Sequence, residues 1–153
     1  MTRKVLFMNS SPNKEGTTYR LGKEILKGIE HETLHLVDYH IDQYGDVSSE
    51  DQIKEVFQHI EKADVLLIGS PIYWYSVGGL LKTFIDRFYM LPEAELLKGK
   101  DLYFFAQGSG PNELTEQTIQ YLMTRVATLL NMNLKVIVVD NAMGHKILEQ
   151  VQL

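Results

Sequence analysis

Two stretches of this 153-residue chain hold side chains whose types and spacing could do chemistry. The first runs Asn9-Ser10-Ser11-Pro12-Asn13-Lys14-Glu15-Gly16-Thr17-Thr18, with hydroxyls and a glycine directly before a helical pattern. The free N–H groups and dipole at a helix start favour an anion such as a phosphate. Ser11, Thr17 and Thr18 can add hydroxyl donors, and Gly16 permits close backbone approach. The same residues also suit an N-cap with no ligand. Neither GxxxxGK[ST] nor GxGxxG is present, which argues against a Walker-type or dinucleotide site. The second stretch, Ser70-Pro71-Ile72-Tyr73-Trp74-Tyr75, sets three aromatic rings on a loop opened by Pro71. Such rings can stack on a planar ligand, or pack on their own helix or a subunit contact. A third stretch, Phe104 to Asn112, contains Gly108, Ser109 and Gly110, and reads as a further wall of a site or as a turn.

Those loops need elements to hold them. The runs Val5–Met8, Val65–Ile68, Leu102–Ala106 and Val136–Val139 are apolar at consecutive positions, as in strands covered on both faces of a parallel sheet. Residues Thr33 to Val37 alternate instead, which predicts an edge strand. Helical spacing appears at Leu21, Ile25, Leu26 and Ile29, within a helix expected from Thr18 to Ile29. It recurs at Ile53, Val56, Phe57 and Ile60, at Leu80, Leu81, Phe84, Ile85 and Phe88, and at Leu122, Val126, Leu129 and Leu130. A short last helix is expected near Lys146 to Val151. Strand alternating with helix predicts an α/β, doubly wound, five-stranded parallel sheet in three layers, order 2-1-3-4-5, as one domain over residues 1–153. In that order the winding reverses between strands 1 and 3, and ligands bind beyond their carboxyl ends. The two loops singled out leave those two strands, so they converge on one ligand with a ring and a phosphate tail.

Composition closes other routes. Without cysteine these residues offer no disulfide, thiolate nucleophile or cysteine-held metal. The net charge of −5 comes with scattered Lys and Arg, not the basic stripe of a nucleic-acid binder. The run VLFM after Arg3 and Lys4 is too short for a signal core or a membrane span, so a cytoplasmic location is expected. The five histidines lack metal-ligand spacing and read as surface or edge residues, and no metal is expected. Asp86 and Arg87 read as a local charge pair on the exposed face of the third helix. A receiver-type phosphorylation site would need an Asp after strand 3, where Ser70-Pro71 stands.

On these residues the chain resembles the flavodoxin-like NAD(P)H-dependent FMN reductase and quinone reductase superfamily. Ser11-Pro12 with Gly16-Thr17-Thr18 resembles that family's phosphate loop. Gly69-Ser70-Pro71-Ile72-Tyr73-Trp74 through Lys82-Thr83-Phe84-Ile85-Asp86-Arg87 resembles its second block, and Leu97-Lys98-Gly99-Lys100 also fits. Asn13 stands where the family often has Arg, and Thr17 where it often has Asn. The resemblance implies non-covalent FMN, with Ser11, Asn13, Gly16, Thr17 and Thr18 at the phosphate. It implies Pro71, Ile72, Tyr73 and Trp74 along the isoalloxazine, with Gly108 and Ser109 approaching from strand 4. It also implies hydride transfer from NAD(P)H through FMN to a quinone, flavin or similar small acceptor, in a homodimer or higher homo-oligomer. No side chain is required as acid or base. The alternative is a flavodoxin-type electron carrier without NAD(P)H turnover.

Overall fold

The computed structural model describes residues 2–153. Five strands form a parallel sheet: β1 (Val5–Asn9), β2 (His31–His35), β3 (Val65–Tyr73), β5 (Asp101–Gly108) and β6 (Asn133–Asn141). Their order is β2-β1-β3-β5-β6, and a two-residue strand β4 (Ser76–Val77) pairs antiparallel with the end of β3. Apart from that extra hairpin arm, the sheet has the expected doubly wound order.

The consecutive apolar residues of each strand divide between two cores, because successive side chains point to opposite faces. Leu6, Met8, Leu66, Ile68, Leu102 and Phe104 face one core, which is closed by α2 (Ile53–Lys62), α3 (Gly79–Asp86) and α4 (Glu113–Leu129). Val5, Phe7, Val65, Leu67 and Phe105 face the other, closed by α1 (Thr17–Ile25) and α5 (His145–Gln150). Helix α4 starts on a reciprocal cap. The Asn112 side chain accepts from the Thr115 amide at 2.9 Å, and the Thr115 hydroxyl accepts from the Asn112 amide at 3.3 Å. Among the described residues no helix is long and apolar enough to cross a membrane.

Three local expectations need correction. Strand β2 lies two residues earlier than the alternation at Thr33 to Val37 suggested, because pairing with β1 sets its register from Val5↔His31 to Asn9↔His35. Pro71 does not open a loop: β3 continues through it to Tyr73, and Pro71 sits opposite Gln107 at the end of the ladder. Proline is tolerated near such a strand end. Arg87 is also not paired with Asp86. Asp86 bonds Lys82 one turn earlier at 2.6 Å. Arg87 instead turns inward, donating to both carboxylate oxygens of Asp51 at 2.5 and 3.1 Å and to the Asp42 carbonyl at 2.9 Å. Its two-pronged fork thereby pins the segment between β2 and α2.

Candidate active site

The loop leaving β1 is held from both neighbouring strands. Ser10 donates its amide and its hydroxyl to the Gly69 carbonyl of β3, at 3.0 and 2.6 Å. Asn9, fully buried, accepts from the Ser11 amide at 3.2 Å and reaches His35 of β2 at 3.1 Å through its Nδ2. The Ser11 hydroxyl then accepts from the Asn13 amide at 3.0 Å, folding the turn. Gly16 occupies the N-cap of α1 and supplies no side-chain cap, so the first-turn amides keep no protein hydroxyl or carboxylate over them. An open depression of about 650 Å³ borders Pro12, Asn13, Lys14, Glu15 and Gly16. An uncapped helix start bordered by Ser and Thr hydroxyls is the chemistry an anion needs.

Thr17 and Thr18 play different parts. Thr17 is half-buried and its hydroxyl accepts from Arg20 at 3.2 Å. Thr18 is buried, and its oxygen accepts from the Gln107 side chain at 3.1 Å. Thr18 therefore ties α1 to the end of β5, keeping its hydroxyl proton and one lone pair for other partners. Gln107 braces the candidate site through this bond, and sequence reasoning missed it. Its role depends on a contact spanning 89 positions, which no local pattern signals.

The aromatic segment is a hairpin, not an open loop. Ile72 pairs Val77, Tyr73 pairs Ser76, and Trp74 and Tyr75 form the two-residue turn between them. Both turn residues have positive φ, 49° and 62°, the left-handed backbone of a type I′ turn. Asn and Gly usually fill those positions, because a Cβ there costs about 1–2 kcal/mol per residue. Trp74 is 94% exposed and Tyr75 is 61% exposed. Behind them the Ser70 hydroxyl accepts from the Gly78 amide at 3.0 Å, locking the hairpin to the start of α3.

Gly108 closes the third side. A Cβ built there would lie 2.8 Å from the Ile72 Cβ, so β5 can approach the hairpin only without a side chain at this position. Pro71 is buried and Ile72 half-buried, while Ser109 lies exposed just past the strand. The structure thus brings Ser11, Asn13, Gly16, Thr17 and Thr18 to one loop–helix junction. Pro71, Ile72, Tyr73, Trp74, Gly108 and Ser109 lie along the neighbouring strand ends. A separate cleft of about 480 Å³, lined by Arg3, Lys4, His31, His59 and Lys62 among others, lies at the opposite, amino ends of the strands.

His35 of β2 is the titratable group that touches Asn9 at the root of the loop. Burial pushes its pKa below the ordinary histidine value and the Lys14 charge adds to this, against an opposing pull from Asp38. Lys14 and Asp38 themselves form an ion pair at 2.9 Å.

Known proteins are similar to this chain in sequence and in fold. The chain is 38% identical over 96 residues to an iron-sulfur flavoprotein of Archaeoglobus fulgidus, covering 55% of this chain and 48% of that protein. It is 31% identical over 100 residues to an FMN-dependent NADH:quinone oxidoreductase of Streptomyces coelicolor, covering 59% and 46%. The chain spans about half the length of these two curated relatives. Its fold matches the apo form of an NADH:FMN oxidoreductase with a TM-score of 0.72 and 24% identity, over 95% of this chain and 79% of that one. The family model for NADPH-dependent FMN reductase matches residues 3–142, and the chain belongs to that family.

Proposed function

We propose that this chain binds FMN non-covalently and works as an NAD(P)H-dependent FMN oxidoreductase. The observation that carries the reading is the meeting of an uncapped, hydroxyl-lined helix start with an exposed aromatic hairpin at the switch point of the sheet. The residues fit the cofactor at both ends. Ser11, Asn13, Gly16, Thr17 and Thr18 would hold the phosphate. Pro71, Ile72, Tyr73 and Trp74 would border the ring, with Gly108 and Ser109 on the far side.

Bound FMN would supply the redox chemistry between NAD(P)H and a quinone, a free flavin or a similar small acceptor. The protein's share is binding and orientation. The loop after β1 would hold the phosphate through amide and hydroxyl hydrogen bonds, and the hairpin would border the ring. The exposure of Trp74 leaves room for a nicotinamide or an acceptor to stack in turn. No side chain at the site is required to move a proton.

Exposed apolar side chains, among them Trp74, Tyr75, Met90 and the Tyr44–Tyr89 pair at 5.6 Å, support a homodimer. The proposal includes a cytoplasmic setting, with which the cysteine-free composition is compatible. Within these residues no cysteine can hold the cluster for which the Archaeoglobus relative is named.

The test is the visible spectrum of the purified protein reconstituted with FMN. Flavin bands that bleach on NAD(P)H addition and return with a quinone support the proposal, whereas failure to bind FMN in a fluorescence titration overturns it. Binding without steady-state NAD(P)H oxidation would indicate an electron carrier instead. Light scattering that gives a monomer at micromolar concentration would remove the dimer.

A further inference from the structure

A line of hydrogen bonds runs from the edge strand of the sheet into the loop that precedes α1. It starts at His35, whose Nδ1 lies 3.1 Å from Asn9 Nδ2, and continues through Asn9 Oδ1, which accepts from the Ser11 amide at 3.2 Å. It ends where the Ser11 hydroxyl accepts from the Asn13 amide at 3.0 Å. Every orientation along this line is fixed by chemistry. An amide N–H can only donate, so the Asn9 group facing Ser11 must be the carbonyl oxygen. That leaves the Asn9 NH₂ pointing at His35, and an NH₂ likewise only donates. His35 Nδ1 must therefore accept, which an imidazole does only when that nitrogen carries no proton.

We infer that neutral His35 is a positioning residue for the anion loop: its Nδ1 holds Asn9, and Asn9 holds the Ser11 amide and the turn to Asn13. Protonation of Nδ1 would set two donors face to face. Asn9 is fully buried, so no solvent is at hand to accept from its displaced NH₂. The surroundings favour the neutral ring. Tyr19 of α1 covers it, with ring centroids 5.4 Å apart. Of the charged groups near it, Lys14 on the loop disfavours the imidazolium and Asp38, just past β2, favours it. These two are paired with each other, so neither acts on His35 with its full charge.

The inference deepens the reading of this loop as the phosphate end of a flavin site, and it rests on that reading for its functional consequence. It predicts a ligand-specific effect. Acidification through the His35 titration should weaken a flavin that carries phosphate and leave one without it unchanged. A merely structural contact at the strand edge would weaken both alike.

The experiment compares the wild-type protein with His35→Asn and His35→Leu, titrated with FMN and with riboflavin from pH 8 down through the His35 titration as followed by its ring resonances. Asn can present an oxygen near the Nδ1 position and does not titrate, and Leu presents no acceptor. Because the phosphate of FMN itself titrates in this range, His35→Asn supplies the baseline. Relative to that baseline, the wild-type preference for FMN over riboflavin should fall about 10-fold at low pH, the scale of one hydrogen bond to a charged group. His35→Leu should show the weak preference at every pH. In the ligand-free protein, the Ser11 amide resonance should move with the His35 ring resonances in the wild type and stay fixed in His35→Asn. Superimposable profiles for wild type and His35→Asn, with a Ser11 amide that ignores the His35 titration, would overturn the inference. If no form binds FMN, the flavin reading fails while the Ser11 amide still decides the role of His35. If His35→Leu does not fold, wild type and His35→Asn suffice.

Discussion

The side-chain amide of Gln107 donates to the Thr18 hydroxyl at 3.1 Å, joining the end of β5 to the first turn of α1 inside the protein. Replacing Thr18 with Val keeps the shape and removes the acceptor, leaving a buried amide donor unpaired. Such a loss costs about 1–3 kcal/mol. The expected result is a lower urea midpoint for Thr18→Val with an unchanged m-value. FMN affinity should fall as well, because the bond aligns the two loops that would share the ligand.

The Arg87–Asp51 pair is a second buried link, with both side chains 8% exposed. Removing one partner strands a charge, at about 3–5 kcal/mol. Burial alone would push the Asp51 pKa up. The Arg87 bond, the amides of Asp42 and Ile53 and the Arg87 charge outweigh it and hold the group below its usual value. A carboxyl depressed in the folded state lends stability above its unfolded pKa, near 3.9, and loses it as pH falls through the lower folded value. Chemical denaturation from pH 6 down to pH 2 should show Arg87→Met destabilised at neutral pH. The gap to wild type should close in the acid range.

Neither link was legible in the sequence, because each joins residues far apart in it, whereas the elements that carry them were. Continuous apolar runs such as Val65 to Ile68, short, β-branched in part and set between helical patterns, point to buried parallel strands, and the alternation with helices then leaves few topologies. Arg87 was misread as a partner for Asp86 because adjacent charges look local, whereas its real partner lies 36 positions away. The loop residues at the site were readable as residue types. Their geometry was not. His35 matters only through the register that sets it opposite Asn9, and the hairpin at Trp74-Tyr75 hid because it breaks the turn chemistry on which a sequence reading depends.

That turn gives a prediction of opposite sign for stability and binding. Trp74→Asn with Tyr75→Gly installs the residues a type I′ turn prefers and should raise stability by about 1–3 kcal/mol. The same change removes one ring from the proposed ring wall and another beside it. A higher melting temperature together with weaker FMN retention is the expected pair of outcomes. A drop in melting temperature would contradict the strained backbone.

Gly108→Ala tests the third wall. The added methyl meets the Ile72 Cβ at 2.8 Å and the Ile72 carbonyl oxygen at 3.3 Å, so either β5 or the hairpin must shift. Overpacking of this kind costs about 1–3 kcal/mol. Because the clash sits at the ends of both strands, hydrogen exchange should quicken at residues 71–77 and leave β1 unaffected. Flavin affinity should fall with it.

The positive φ values at Trp74 and Tyr75 also bear on how the gene tolerates mutation. Most positions punish change under selection for abundance, since replacements lose packing. These two should reward it, with Gly, Asn and Asp enriched in a library sorted only for folded protein. Sorting the same library for flavin-dependent turnover should restore the aromatics. Two adjacent codons pulled in opposite directions by folding and by function would mark the hairpin as held in place by its work.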